Sequence, residues 1–479
     1  MNIKRTPLVD MDYHKALEYL DSRIVFGITP GLERIEKLLN LVKNPQLSYP
    51  VIQVTGSNGK SSVTRMISQI LAESGFRVGA YTSPHLHSYT ERITIDGESI
   101  TKKDFAAVLQ ELVPLIEKVD EEAKEPLTHF EILTALAFLC FHHKQIEAAV
   151  VEVGMGGRWD ATSVVSPKVA IITNIELEHT DILGKTVTAI AEEKAHIIKE
   201  NSRALVGPLT KEALKIVKER SQKLGVNLKQ LGQDFYPTSY SLDQGKQELS
   251  VKGLFRVYEG LNLSAMGRHQ AQNLALAVAG AETFNGWPLE KPKVQKGLEK
   301  LNFPGRMEKI RLASTTIVLD GAHNPAAARS LAQAVKENFS WEKLFLILAI
   351  FKDKDFTEVL KELVPLSDLT VLSENTSERG APVEILASET RKLTQNYVTE
   401  PNLNRAIDFA LEKAGPGDLV LITGSLYTVA EAREYLSLKN RVLGSQENKM
   451  GRREIPQAPR ITSASYKTSG KGKLGGRLF

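Results

Sequence analysis

VIQVTGSNGKSSVTRMISQILAESG, from Val51 to Gly75, runs a short apolar segment into a turn bracketed by glycines and then into a lysine that opens a helical pattern. The turn Gly56-Ser57-Asn58-Gly59-Lys60-Ser61-Ser62 reads in two ways. It is a cradle for phosphates, or a polar turn between a strand and a helix. The usual phosphate loop, G-x-x-x-x-G-K-[ST], puts a glycine five residues before the Gly-Lys pair. This chain has Val54 there, still inside the apolar run. The physical context nevertheless suits a polyphosphate. Backbone N–H groups at such a turn point outward and the helix N-terminus adds positive potential. Lys60 can reach phosphate oxygens, and Ser61 puts a hydroxyl where Mg²⁺ or phosphate would sit.

A chain of 479 residues exceeds one ordinary core and suggests two domains. Its 42% hydrophobic and 25% charged residues suit a soluble globular enzyme. The net charge of +4 hides an asymmetry. Residues 441–479 hold nine Lys/Arg against two acids, so the rest of the chain is mildly acidic. No general basic field invites nucleic acid. That terminal stretch, rich in Gly, Ser and Lys, predicts a disordered basic tail. The single Cys140 lies in the apolar run ILTALAFLCFHH and reads as a small buried thiol. The N-terminus lacks the apolar core of a signal peptide, and no uncharged apolar run is long enough for a membrane span. The expectation is a cytoplasmic protein without a membrane partner.

Short β-branched runs separated by helical patterns recur along the chain. PVIQVT, RVGAYT, EAAVVEVG and KVAIITN lie in the first two hundred residues, and TTIVLD, KLFLILAI, DLTVLS and GDLVLITG lie between Thr315 and Gly424. This alternation predicts α/β architecture with parallel sheets covered on both faces. Between the sets, residues 227–267 are polar, alternating and glycine-punctuated, as in antiparallel hairpins. LNFPGRME then breaks the pattern. The expected domains are 1–300, an N-terminal α/β domain with the phosphate-loop candidate and a small β insert, and 301–440, a C-terminal Rossmann-like α/β domain, followed by the tail 441–479.

Ligands bind beyond the strand ends of parallel sheets, and here those ends are small or polar: Ser83-Pro84-His85, Met155 to Asp160, Glu176 to Asp181, Gly321 to Pro325, and Ser425-Leu426-Tyr427. Glu152, inside the strand AAVVEVG, is the sharpest residue. An unpaired carboxylate there is costly. It is either paired with a lysine or backbone amides, or it is a hard oxygen ligand for Mg²⁺ beside the phosphate loop. His179 alone reads as a hydrogen-bonded loop residue, and Lys194 alone as a solvated helix lysine.

Twelve segments in order carry a family resemblance: FGITPGLERI, VTGSNGKSS, YTSPHLHSYTERI, THFEILTALAF, VEVGMGGRWDAT, EHTDILG, IAEEKAHIIK, GRHQAQNLALA, PGRME, DGAHNP, DKD and TGSLYTVAEAR. With these the chain resembles the folylpolyglutamate synthase and dihydrofolate synthase family, part of the Mur ligase superfamily, from about Met11 to Tyr435. The short phosphate loop is that superfamily's usual form. The resemblance implies that Gly56, Ser57, Asn58, Gly59, Lys60, Ser61 and Ser62 hold the ATP phosphates, with Lys60 on the β- and γ-phosphates. It implies one Mg²⁺ on Ser83 and Glu152, and a second on Glu152 and His179. Lys194 matches a lysine that relatives carry as a carbamate. Asn273, Arg306 and Asp320 would contact ATP, and His323 would lie near nucleotide and glutamate. Thr128, His129, Phe130, Glu131, Gly157, Arg158 and Trp159 fall on segments lining the pterin site, and Asp160 matches an aspartate needed for activity. The chain departs from the family pattern at Ser57 for Thr, Ser61 for Gly, Ser163 for Asn, Glu178 for Asp, and His196 for Gly.

The expected function is an ATP-dependent C–N ligase joining L-glutamate to a folate-type carboxylate through an acyl phosphate, acting on dihydropteroate, tetrahydrofolates or both, as a monomer. The alternatives are another Mur-type amino-acid ligase, which FGITPGLERI and THFE argue against, and a nucleotide-binding regulatory protein with a degenerate site.

Overall fold

The strand beginning at Val51 is completely buried on both faces, which is why its apolar run is nearly continuous rather than alternating. The computed structural model describes residues 11–24, 27, 30–243 and 246–450. In chain order the first sheet contains β1 (Val51–Thr55), β2 (Val78–Tyr81), β3 (Ile93–Ile95), β4 (Glu98–Ser99), β5 (Ala148–Glu152), β6 (Pro167–Ile172), β7 (Arg203–Val206) and β8 (Leu228–Gln230). Their order across the sheet is β4-β3-β2-β5-β1-β6-β7-β8. All neighbours from β2 to β8 are parallel, and β3 and β4 add an antiparallel edge. β1 therefore lies centrally, between β5 and β6, and the ends of these three strands share one edge.

Helices cover both faces. Lys60–Glu73 packs with Arg268–Asn285 on one side, around Ile67, Ile70, Leu274 and Val278. His129–His143 lies on the other and is buried from Glu131 through Phe141, Cys140 included. It is capped at its start by a reciprocal box between Thr128 and Glu131. The polar segment forms the expected antiparallel sheet, β9 (Tyr236–Asp243), β10 (Lys246–Lys252) and β11 (Val257–Leu263), in the order β11-β10-β9.

The second sheet begins after the Pro-Gly break: β12 (Glu308–Leu312), β13 (Thr315–Asp320), β14 (Leu344–Leu348), β15 (Leu369–Glu374), β16 (Tyr397–Asn402) and β17 (Leu419–Thr423), ordered β12-β13-β17-β14-β15-β16. Only β12 runs antiparallel to its neighbour. All eight apolar runs singled out in the sequence are strands. Both sheets fall within one compact unit that ends at Glu434.

The last helix, Leu426–Met450, extends ten residues past the expected domain end at 440. The segment 441–450 is thus helical rather than disordered, and the rest of the proposed tail, 451–479, lies outside the described residues. So do Phe26, Ile28 and Thr29 of the FGITPGLERI segment. Among the described residues no helix is long and apolar enough to cross a membrane.

Candidate active site

The backbone of the glycine turn requires glycine at two positions. Gly56 sits at φ +151°, and a Cβ there would lie 1.8 Å from Thr173 Oγ1. Gly59 sits at φ +82°, and a Cβ would lie 2.7 Å from Asn273 Oδ1. Only glycine fits either position. Gly59 is also the N-cap of Lys60–Glu73, and no side chain caps that helix. Its first-turn N–H groups are therefore open to an external acceptor. The loop is braced from β6: Asn174 Oδ1 accepts from Ser57 N (3.1 Å) and Asn58 N (2.7 Å), and Thr173 Oγ1 donates to Asn58 O (2.6 Å). Lys60 folds back over the loop, its Nζ donating to Gly56 O (2.8 Å) and Ser57 O (3.3 Å).

Glu152 ends β5 next door and is 1% exposed. Ser61 Oγ donates to its Oε1 (2.8 Å) and Ser83 N to its Oε2 (3.1 Å). Burial pushes its carboxyl above the ordinary range, against the pull of Lys60 and these two donors. A buried carboxylate beside a hydroxyl is an oxygen donor set that suits a hard divalent cation. Among the described residues no hydrogen bond joins His179 to Glu152, and no group of three or more His, Cys, Asp or Glu is arranged to hold a metal.

Lys194, 1% exposed, is no solvated helix lysine. Its Nζ lies 2.8 Å from Glu178 Oε1 and donates to Gly56 O at 3.0 Å. Burial lowers its pKa to about 8 despite Glu178. Burial opposes the Glu178 charge too, yet Lys194 and then Lys60 hold that carboxyl down at about 2. The sequence reading treated Glu178 only as a longer-armed substitute for aspartate. Its extra methylene is part of the arm that meets Lys194. His196 turns elsewhere: its Nδ1 lies 2.7 Å from Glu192 O and 3.3 Å from Arg158 Nε.

A cleft of about 1250 Å³ opens beside these groups. Ser83, Thr128, Phe130, Glu131, Gly157, Trp159, Asp160, His179 and His323 all line it. His129 and Arg158 do not; His129 Nε2 lies 3.0 Å from Tyr89 OH, and Arg158 pairs with Glu193 at 3.3 Å. Glu131 is held by Arg34 (3.2 Å) as well as by its cap. Asp160 is a brace. Its carboxylate accepts from Met155 N (2.9 Å), Thr162 N (3.0 Å) and Thr162 Oγ1 (2.5 Å), which fixes the loop after β5.

The second sheet supplies the opposite wall, with His323, Asn324, Arg329, Asp353, Lys354 and Arg379. Asn324 and Asn58 exchange amide hydrogen bonds (3.1 and 3.4 Å), which brings the DGAHNP segment onto the phosphate loop. His323 Nδ1 bonds Gly321 O (2.9 Å), and burial keeps its pKa near 4. Burial, then Lys354, does the same to His179. Asp320 accepts from Met307 N and Ala322 N, both at 2.9 Å, with Arg306 as its nearest counter-charge. Sequence reasoning gave no role to Asn174 or Asn324 and did not pair Glu178 with Lys194. Asn174 and Asn324 each follow a strand by two to four residues, which was the available signal.

Comparison with known proteins gives two family matches, to the Mur ligase middle domain over residues 54–281 and to the Mur ligase, glutamate ligase domain over residues 305–426. The chain is 36% identical over 438 residues to the dihydrofolate synthase/folylpolyglutamate synthase of Mycobacterium tuberculosis, covering 85% of this chain and 90% of that one. A solved Mycobacterium tuberculosis folylpolyglutamate synthase complexed with ADP superposes with a TM-score of 0.84 at 36% identity, over 88% of this chain and 97% of that one. An FPGS–AMPPCP–folate complex superposes with a TM-score of 0.79 at 30% identity, over 89% and 100% respectively.

Proposed function

Because the chain belongs to the folylpolyglutamate synthase and dihydrofolate synthase family of Mur-type ligases, we propose that it joins L-glutamate to the carboxylate of a folate-type substrate at the expense of ATP. One observation carries this reading. An uncapped phosphate loop, the buried Glu152 and the Lys194–Glu178 pair meet at the ends of adjacent parallel strands, facing a second wall that carries His323 and Asn324.

The substrate carboxylate attacks the γ-phosphorus of ATP, the bond to the β-phosphate oxygen breaks, and ADP leaves an acyl phosphate. Lys60, released from the loop carbonyls, and the N–H groups of Gly59 to Ser62 offset the charge spread over the transferring phosphoryl oxygens. Asn273, Arg306 and Asp320 position the nucleotide. The glutamate amine then attacks the acyl carbon, inorganic phosphate leaves, and an amide forms. His323 donates through Nδ1 to Gly321, so its Nε2 lone pair is available to accept an N–H of that amine. Thr128, Phe130, Glu131, Gly157 and Trp159 form the wall for the flat heterocycle, with Asp160 holding the loop in shape. Closing the two walls excludes water that would hydrolyse the acyl phosphate.

Glu152 with Ser61 and Ser83 would hold one Mg²⁺ at the phosphates, and His179 would help hold a second. The ions supply Lewis-acid neutralisation of phosphate charge. Lys194 is the candidate carbamate. Its pKa of about 8 makes the neutral amine, the form that captures CO₂, accessible near neutral pH. A carbamate would exchange the Glu178 ion pair for a second anionic oxygen ligand. Enrichment from ¹³C-bicarbonate, read by NMR, tests it.

The function is tested by glutamate-dependent ADP release measured in parallel with dihydropteroate, tetrahydrofolate and a UDP-sugar peptide. Turnover with either pterin supports the reading. Turnover only with the peptide moves the chain to the cell-wall branch, and none with any acceptor leaves a nucleotide-binding regulator.

A further inference from the structure

The twelfth motif, TGSLYTVAEAR, ends on Arg433, which has no role in the chemistry above. The guanidinium is held from two sides. Its Nε donates to Glu308 Oε1 at 2.8 Å, and its Nη1 lies 3.1 Å from His87 Nε2. Arginine has no acceptor, so His87 must receive this bond on an unprotonated nitrogen. The two partners belong to different parts of the chain, each tied to the cleft.

His87 sits on the segment between β2 and β3, which contributes Ser83, Pro84 and Arg92 to the cleft wall. That segment is stiff. The Glu91 carboxylate accepts from Leu86 N (3.0 Å), His87 N (3.0 Å) and Ser88 N (2.8 Å), and Arg92 Nε donates to His85 Nδ1 (2.8 Å). His87 thus belongs to the same short, internally hydrogen-bonded segment as Ser83, whose N–H donates to Glu152.

Glu308 opens β12, directly after the connector that joins the two sheets. Its Oε2 accepts from Gly305 N at 2.8 Å. The connector is a tight bend in which Met307 takes φ 52°, an unusual value for a side-chain-bearing residue. It is pinned at Met307 N by Asp320 and at Asn302 O by Arg65 (3.4 Å), and it carries Arg306.

We propose that Arg433 is a closure clasp, a positioning residue that fastens the Ser83–Arg92 segment to the connector through His87 and Glu308 so that both walls of the cleft are held in register. The inference rests on the ligase reading for its consequence: a loosened clasp admits water to the acyl phosphate, so ADP forms without a matching amide bond.

The variants His87→Ala and Arg433→Lys separate positioning from folding. His87 is exposed, and a lysine at 433 keeps a cation for Glu308 while being unable to span both partners. Each should lower the amide formed per ADP by about 3- to 10-fold, the worth of one ordinary hydrogen bond. The KM for glutamate should rise, and melting should stay close to wild type. The double variant should be no worse than either single one, because both remove the same link. In parallel, hydrogen exchange of full-length protein with AMPPCP should be faster across 83–92 in His87→Ala than in wild type. Native coupling in His87→Ala, or losses that multiply in the double variant, would overturn the clasp. If wild type itself shows no glutamate-dependent turnover, the ligase reading fails. The exchange comparison still decides the clasp, and unchanged exchange refutes it.

Discussion

Replacing Glu178 with Gln keeps the shape of the arm and removes its charge, leaving the Lys194 ammonium in the interior without a counter-charge and with only neutral oxygens, Gly56 O and the amide oxygen at 178, as acceptors. The size of the effect follows from the carboxyl's titration. An ordinary glutamate titrates near 4.5 and Glu178 near 2. At about 1.4 kcal/mol per unit the charged form is favoured by roughly 3 kcal/mol in the folded protein. The side chains of Glu178 and Lys194 are 8% and 1% exposed, so solvent screening takes little of this away. Breaking a buried pair by removing one partner costs about 3–5 kcal/mol, the same range by an independent route. The sign is checked by pH. The folded pKa lies below the unfolded one, so the stabilisation is complete above about pH 4.5 and fades as pH falls toward 2. At pH 7 the variant should be less stable by roughly 3 kcal/mol in urea. It should melt roughly 3 °C lower, taking about 2.1 cal/mol/K per residue over the compact unit. Lys194 also loses the partner that raised its pKa, so more of it is neutral at pH 7. ¹³C-bicarbonate should then label the variant more than the wild type. A Glu178→Gln protein with unchanged urea midpoint and melting temperature would show that the pair contributes nothing and that the energetic argument is wrong.

Lys60→Ala should reduce ligation by at least about 100-fold with an unchanged circular dichroism spectrum, since it removes a charge aimed at the transferring phosphoryl group; near-normal turnover would return the loop to a simple turn. Gly59→Ala forces φ +82° on a residue with a Cβ and pushes it against Asn273. It should cost about 1–2 kcal/mol of stability and weaken AMPPCP binding in calorimetry. Glu152→Gln should raise the Mg²⁺ concentration needed for half-maximal turnover about tenfold or more, and an unshifted Mg²⁺ titration would remove Glu152 from the metal site. Lys194→Ala should cripple turnover while sparing nucleotide binding, with partial recovery in added short carboxylic acids; equal loss of both would argue for a purely structural lysine.

The architecture was legible because burial on both faces leaves a plain mark. TTIVLD, KLFLILAI and GDLVLITG could hardly be anything but covered parallel strands, and each is one. Two of the strands that escaped notice carry weaker marks. β12, EKIRL, and β16, YVTEPN, lie at sheet edges, where one side meets solvent and the apolar run breaks up. At the site, the glycines were legible because no other residue fits their backbone. Glu152 was legible because a carboxylate in an apolar strand needs a reason. Lys194 was legible only through the family resemblance, since sequence spacing says nothing of what lies across a helix; only the fold brings Glu178 and Gly56 to it. His196 shows the converse, a departure from pattern two residues from Lys194 that points away and touches Arg158 instead. The helix beyond 440 was missed because composition was read across residues 441–479 as one block.

The carbonyl of Gly56 accepts from two lysines, Lys60 at 2.8 Å and Lys194 at 3.0 Å. One backbone oxygen thus serves both the phosphate-binding cation and the buried pair, and no genetic substitution can remove it. An alanine scan of this cleft, however complete, would leave that oxygen in place. Reaching it takes a change to the main chain, such as an ester in place of the amide between residues 56 and 57. The ester makes the oxygen a poorer acceptor and also deletes the Ser57 N–H that Asn174 receives. Semisynthesis, rather than mutagenesis, is the method suited to asking how the two lysines are coupled.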